Sequence, residues 1–412
     1  MPYKRPKTDI VGDTGPVGLP RLCFRDHVKS YKQRLSFDEG LDAIAGSEVE
    51  VGGGGGGDAM DLVRMLISCA EAVACRDRAQ ASALLMDLRA QAQVLGTSFQ
   101  RVAFCFVTGL SDRLSEWDEA LELAYKLCPF IRFGHFVANE SILEVLAGES
   151  SAHVVDLGMS LGLPIGHQWR DLIQRIVDRP GPPMRRIRLT GVGPRAERLE
   201  SIGDGLVDFA RGLGLELEFR AIVTNLEGLR PEDVKAEKGE ALVVNSVLEL
   251  HHVVKESRGA LNSVLRTIHG LTPRVLVLVE QDVNHNGPFF MGRFMEGLHY
   301  YSAVFDALDV ALPRYDTRRA KMEQFYFAEE IRNIVSCEGI ARVERHERAD
   351  QWRRRMSRAG FQPSPVKMGA QAKGWLGREG EGAHGFTVVE DKGCLTLGWK
   401  SKPIVTASCW KC

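Results

Sequence analysis

The sequence predicts an α/β fold: a mostly parallel sheet wrapped by helices, closed by an antiparallel C-terminal hairpin and preceded by an α-helical cap. Three observations predict it. Residues 58–150 carry helical periodicity and no strand signal. After residue 150, short apolar runs alternate with amphipathic stretches, the pattern of a parallel sheet with crossover helices. The last apolar runs, about 384–389 and 394–408, are joined by the short turn EDKGC, as an antiparallel hairpin requires.

Taken in order, residues 1–57 read as a flexible leader that ends in the glycine run Val51 to Gly57, since polyglycine is a hinge. Its basic residues Lys4, Arg5 and Lys7 are either a nuclear-import fragment or a solvated tail, and so short a run favours the tail. From Asp58, Leu62, Val63, Leu66, Ile67, Ala70 and Val73 fall at three- and four-residue spacing, with Asp58 or Asp61 available as N-cap. Further helices are expected at about 78–94, 98–115, 117–127 and 134–147. Some leucines approach heptad spacing, either a partner seam or a bundle core. The pattern never lasts three heptads, which favours the core.

Strands are expected at 152–157, 185–190, 215–222, 240–246 and 273–280, with helices at 167–178 and 196–213 among them. The chain then divides into a cap (58–150), an α/β core (151–285), a helical insertion joining the cap (286–340) and the end of the core (341–412). The insertion holds ten aromatics from Phe289 to Phe327, enough for a second small core over the sheet. A parallel core finished by an antiparallel hairpin resembles the Rossmann-like methyltransferase architecture.

Composition bounds the function. The chain has 412 residues, 44% hydrophobic and 26% charged, with a formal net charge of −1. The molecule as a whole has no electrostatic pull toward nucleic acid, so any such contact needs a local patch. There is no run of about 18 apolar residues and hence no membrane span. MPYKRPKTDIVGD lacks the apolar stretch of a secretory signal. Nine scattered cysteines suit a reducing compartment better than a disulfide framework.

Chemistry is expected at the carboxyl ends of the strands, where open α/β sheets bind ligands. HVVDLGMSLG places Asp156 at a strand end, followed by Gly158 and Gly162. The tight G-x-G-x-x-G spacing is absent. The next strand, RIRLTGVG, ends in Leu189, Thr190 and Gly191, with no carboxylate for ribose hydroxyls. No cofactor is therefore expected. Asp156, Asn245, His251, His252, Glu280, Asp282 and His285 should share one sheet edge. Such a cluster suits a metal or acid–base site. Without a nucleophile motif or HExxH spacing, structural hydrogen bonding is favoured, with no catalytic residue and no metal. The C-x-x-C of Cys409 and Cys412 has no second pair to make a zinc site.

One segment, ARVERHERADQWRRRMSRAGF, carries Arg342, Arg345, Arg348, Arg353, Arg354, Arg355 and Arg358. Trp352 and Met356 give it an apolar stripe, so it reads as an amphipathic helix. Its arginines either meet phosphate or form a solvated face. Arg345, Arg348, Arg353 and Arg354 are the DNA-contact candidates.

Several blocks, in order, resemble the GRAS family, the plant scarecrow-like transcriptional regulators, over about residues 58–412. LISCAEAV, with Leu66, Cys69, Ala70 and Val73, resembles the first leucine-rich region. HVVDL, with His153, Val154, Val155 and Asp156, stands where the family has Val-His-Ile-Ile-Asp; FGHFVANESILE precedes it and Gln168-Trp169 follows. LVVNSVLELHHV, with Asn245, Leu248, Leu250 and His251, resembles the second leucine-rich region. The stretch from Glu280 through Asn284, His285, Asn286, Arg293, Phe294, His299, Tyr300 and Tyr301, then EEIRNIVSCEG and RVERHE, resembles the block named for Pro-Phe-Tyr-Arg-Glu. LTLGWKSKPIVTASCW, with Trp399, Ser408 and Trp410, resembles the closing Ser-Ala-Trp block.

Departures are the two valines of HVVDL, a longer turn in GMSLGLPIGHQW, and a leader without Asp-Glu-Leu-Leu-Ala, which argues against gibberellin-regulated repression. The resemblance implies a nuclear, non-enzymatic regulator. It would act through other GRAS proteins, as homo- or heterodimer, through DNA-binding transcription factors, and in some members on duplex DNA. The alternative is a small-molecule binder or S-adenosylmethionine-dependent methyltransferase-like protein using Asp156 and Asn245.

Overall fold

The computed structural model describes residues 55–412 apart from 75–76, 160–162, 164, 181–183, 258 and 381–382. The leader up to residue 54, with its basic cluster, and Gly162 lie outside the described residues.

Four helices come first: α1 (Gly55–Ala74), α2 (Arg78–Gln91), α3 (Ser98–Leu127) and α4 (Pro129–Val145). Helix α1 starts within the glycine run, so Asp58 and Asp61 lie inside it rather than capping it. Asp77 caps α2 by accepting from Gln80 N–H at 3.1 Å. At α3, Thr97 Oγ1 accepts from Gln100 N–H while Gln100 Oε1 accepts from Thr97 N–H, a reciprocal capping box. The two helices expected over 98–127 are one, because no proline or left-handed residue interrupts the run. Helix α4 begins at Pro129, earlier than expected, since proline suits the first helical position. Leu62, Cys69, Val73, Leu85, Leu88, Ala103 and Val107 bury together as a small core of α1–α3.

The sheet follows. Strands β1 (Ser151–Leu157), β2 (Arg186–Gly193), β3 (Glu216–Val223), β4 (Ala241–Val247) and β5 (Val275–Gln281) are parallel to their neighbours. Helices α5 (His167–Asp178), α6 (Ala196–Gly212), α7 (Pro231–Val234) and α8 (Gly259–Gly270) connect them. Beyond lie α9 (Phe290–Ala311), α10 (Thr317–Met322), α11 (Ala328–Ser336), α12 (Ala349–Arg358), β6 (Gln362–Ser364), α13 (Gly369–Arg378), β7 (Phe386–Asp391), β8 (Cys394–Trp399) and β9 (Lys402–Lys411). The strand order is β3-β2-β1-β4-β5-β9-β8-β7, with β6 paired to β9.

The closing hairpin needs correcting in detail. The run 394–408 is two strands, turned at Lys400 and Ser401, whose φ angles are 44° and 70°. Two consecutive residues at positive φ make the tight turn whose twist suits a hairpin. The returning strand β9 lies between β5 and β8, antiparallel to both. It therefore joins the parallel half to the meander instead of capping an edge.

Side-chain alternation sorts the sheet into two faces. Val154, Val243, Val277 and Val279 pack on one face with α4 and α5. Val155, Leu157, Val244, Leu276 and Leu278 pack on the other with α8 and α12. Of the insertion's aromatics, Tyr300, Tyr301, Tyr326 and Phe327 join the main core, while Phe289 and Phe290 are exposed. Among the described residues, no helix is long and apolar enough to cross a membrane.

Candidate functional site

The expected single cluster along the sheet edge is divided. Asp156 and Asn245 are register partners on neighbouring strands and point to the α4/α5 face. Glu280, one residue out of phase with Val277 and Val279, points to the other face. A period of two separates what the sequence spacing had grouped.

On the first face the polar groups satisfy one another. Trp169 Nε1 donates to Asp156 Oδ2 at 3.0 Å and Asn245 Nδ2 donates to Oδ1 at 2.9 Å. Gln168 Nε2 donates to Asn245 and to Asn139, each at 3.2 Å. Asn139 closes the chain on Asp171 and the Gln168 carbonyl. Burial pushes the Asp156 carboxyl up to about 7, against the two donors that favour its charged form. Asn139, which the sequence reading missed, betrays itself as an amide on an otherwise apolar face of α4.

The glycine turn is also filled from within. Gly158 has φ 86°, and a Cβ there would lie 2.5 Å from the Glu249 side chain. A Cβ on Gly191 would lie 2.6 Å from Met159 Sδ. Glu249 and Met159 thus pack directly against these two glycines. His153, placed with Asp156 in the sequence, faces away from it. Its Nε2 lies 2.8 Å from Thr190 Oγ1 and its Nδ1 3.2 Å from Arg188, which is bridged to Glu240 at 2.5 Å. Burial, with Arg188 adjacent, lowers His153 to about 4.

On the second face, His251 Nδ1 donates to Glu280 Oε2 at 2.8 Å. His252 Nδ1 faces Glu249 at 3.4 Å, and both rings approach Glu344. Burial opposes charge on His252, but the carboxylates of Glu249 and Glu344 outweigh it and raise the ring to about 10. His285 is fully buried, its ring stacked on Tyr301. Asp282 accepts from Thr406 Oγ1 and from Ala349 N–H. Above the strand ends opens a cavity of about 540 Å³, reached by Asp77 and Gln80 from α2, Gly158, Glu249, His251, His252 and Glu344.

The arginine segment needs correction. Only Ala349–Arg358 is α-helical; residues 342–347 are irregular and buried. Asn333 pins them, accepting from the N–H groups of Val343 and Glu344 and donating to Ala341 O. Arg345, expected to face DNA, is buried; its guanidinium donates to Arg342 O, Asn286 Oδ1 and Gly339 O. It ties two loops together and presents no charge to solvent. Arg348 is exposed and held by Glu296 at 2.8 Å. Arg353 pairs with Asp350 at 2.7 Å and donates to Lys392 O. Arg354 is exposed.

The remaining family-block residues are mostly structural. Cys69 and Val73 are buried in the α1–α3 core, Leu66 and Ala70 half-buried. Val154, Val155 and Leu250 are core, and Leu248 sits at positive φ after β4. Arg293 is buried and paired with Glu338. Asn286 donates to Glu347 at 2.7 Å; Asn284 beside it is half-buried. Tyr300 donates to Ile404 O and Tyr301 to Glu330. Trp399 donates to Asp306 and Trp410 to Ser408. His299 lies near the surface against Lys402, and Phe294 half-buries in a groove beside α9. Cys409 is buried and Cys412 exposed, so the C-x-x-C does not present a paired ligand set.

Comparison with known proteins bears out the resemblance to the family. The profile of the GRAS domain family matches residues 62–411. The chain is 60% identical to the GRAS family protein RAD1 of Lotus japonicus, over 96% of this chain and 83% of that protein. It is 38% identical to the DELLA protein RGL1 of Arabidopsis thaliana, over 85% and 70%. Among solved structures, SCL7 of Oryza sativa superposes with a TM-score of 0.66 at 33% identity, covering 85% of this chain and 99% of that one. On these matches, the chain belongs to the GRAS family of plant regulatory proteins.

Proposed function

We propose that the protein is a nuclear regulator of plant transcription that works through protein partners: other GRAS proteins, as homo- or heterodimer, and DNA-binding transcription factors. The surface of α9 carries this reading. Phe290, Met291, Met295 and Leu298 recur on one side of the helix and are exposed, with Phe289 beside them 79% exposed. Phe294, Leu298, Phe305, Ile331 and Ile334 line an apolar groove of about 260 Å³ between α9 and α11. Large apolar side chains contiguous on the surface are what a protein partner covers. Met295→Glu with Leu298→Glu tests it: light scattering and partner capture on the full chain should show loss of association with circular dichroism unchanged. Undiminished association in that variant would remove α9 from the proposal.

Direct contact with duplex DNA is the finer part. With Arg345 withdrawn, α12 would meet phosphate through Arg353, Arg354 and the neighbouring Arg348. Charge reversal at Arg353 and Arg354 should weaken DNA binding severalfold and reduce its salt dependence.

A second reading, a small-molecule sensor, draws support from the 540 Å³ cavity. Asp156 and Asn245, which would grip a nucleotide, do not line that cavity and are engaged with Trp169, Gln168 and each other, which favours the first reading.

A further inference from the structure

His251 and His252 follow β4, and the buried irregular segment 342–347 brings Glu344 to them from nearly a hundred residues on. Nε2 of His251 stands 3.4 Å from one Glu344 oxygen, and Nε2 of His252 stands 3.9 Å from the other. Donors held at about 2.0–2.2 Å around a tetrahedral zinc ion lie about 3.3–3.6 Å apart. The His251 distance falls in that range and the His252 distance is longer, and one ligand atom from each of the three side chains lies within 4.8 Å of the others.

Each ring has a carboxylate near its other nitrogen, hydrogen-bonded in the case of His251. Nδ1 of His251 donates to Glu280 at 2.8 Å, and Nδ1 of His252 faces Glu249 at 3.4 Å. A carboxylate behind a metal-ligating imidazole fixes the tautomer and aims the Nε2 lone pair at the ion. His346 supplies an independent observation. It is 1% exposed, its Nε2 lies 3.2 Å from the same Glu344 oxygen as His251, and neither ring nitrogen has a hydrogen-bond partner of good geometry. A buried imidazole with both nitrogens unsatisfied is costly unless something else meets them.

Charge points the same way. Glu249, Glu280 and Glu344 are all buried here. Two imidazolium rings with centroids 3.9 Å apart would balance them only at the expense of mutual repulsion. A dication balances them without it.

We propose that His251, His252 and Glu344 form a binding site for a divalent transition metal, zinc by donor set, with Glu280 orienting the His251 ring and Glu249 and His346 close by. His251, His252 and Glu344 also line the 540 Å³ cavity, so the ion's remaining position faces that space and takes water or a ligand oxygen.

The test uses the full chain purified without a polyhistidine tag, stripped with a chelator, then titrated with zinc and with cobalt. One equivalent of tightly held ion is expected, with visible cobalt bands of a four- or five-coordinate centre and a raised Tm. His252 is half-buried, so His252→Gln should fold and should lose zinc affinity at least about tenfold. Glu249→Gln, which leaves every proposed ligand in place, should also lose affinity, by less. Absence of tight zinc uptake by the wild-type chain overturns the proposal. So does zinc affinity unchanged in both variants, in which case protonated imidazoles balance the carboxylates and the cluster is structural.

Discussion

Asp156 accepts a hydrogen bond on each carboxylate oxygen, from Trp169 and from Asn245. An amide in its place must set an NH₂ against one of those donors. Asp156→Asn is therefore expected to destabilise the fold by about 1–3 kcal/mol, read from urea denaturation. The pH dependence has a definite sign. Asp156 sits at about 7 in the folded chain, against about 3.9 for an unfolded aspartate. Between those values the folded state binds the extra proton, so this group's contribution is greatest at low pH and falls as pH rises to 7. The advantage of wild type over Asp156→Asn should shrink across that window, by up to about 1.4 kcal/mol per pH unit. A difference that stays flat or grows with pH would show that the carboxyl is ionised throughout. At this scale the sequence was informative about identity and poor about direction. Asp156 and Asn245 were legible at strand ends, but Glu249 over Gly158 was not, because contact across a turn leaves no periodic trace.

At the scale of elements, helix–sheet contact is set by small residues. A Cβ on Gly203 of α6 would lie 2.1 Å from the Phe219 ring of β3. Gly203→Ala gains helix propensity of about 1 kcal/mol, yet the overpacking costs about 1–3 kcal/mol. A net loss in Tm is expected, and Phe219→Leu should relieve part of it; a more stable Gly203→Ala would mean the α6–β3 contact is looser than described. The parallel strands were legible to within a few residues because buried parallel strands are nearly continuous apolar runs. The segment from Arg342 to Arg348 was misread for a physical reason. Its arginines recur at helical spacing, yet Arg342 and Arg345 are buried against backbone carbonyls, and spacing does not reveal which charges are enclosed. The turn between β8 and β9 was missed because Lys400 and Ser401 adopt positive φ without a glycine or asparagine to mark it.

For the whole molecule, a sheet of the Rossmann-like order carries strand-end polar side chains that pair with one another, while a cavity of about 540 Å³ opens above the strand ends. The Asp156–Asn245–Gln168–Asn139 chain engages the strand-end polar groups with one another, and fold alone does not assign a ligand. Many of the block residues fall in this internal network and core, with His153, Trp399 and Trp410 all buried. The exposed face of α9 was not legible as a surface. Its aromatics looked like core, and only the packed structure shows which of them face out. Calorimetric titration of the full chain with S-adenosylmethionine is the most direct test. The expected result is no saturable heat, for wild type and Asp156→Ala alike. Micromolar binding by the wild type that disappears in Asp156→Ala would contradict it and make the strand-end mouth a working cofactor site.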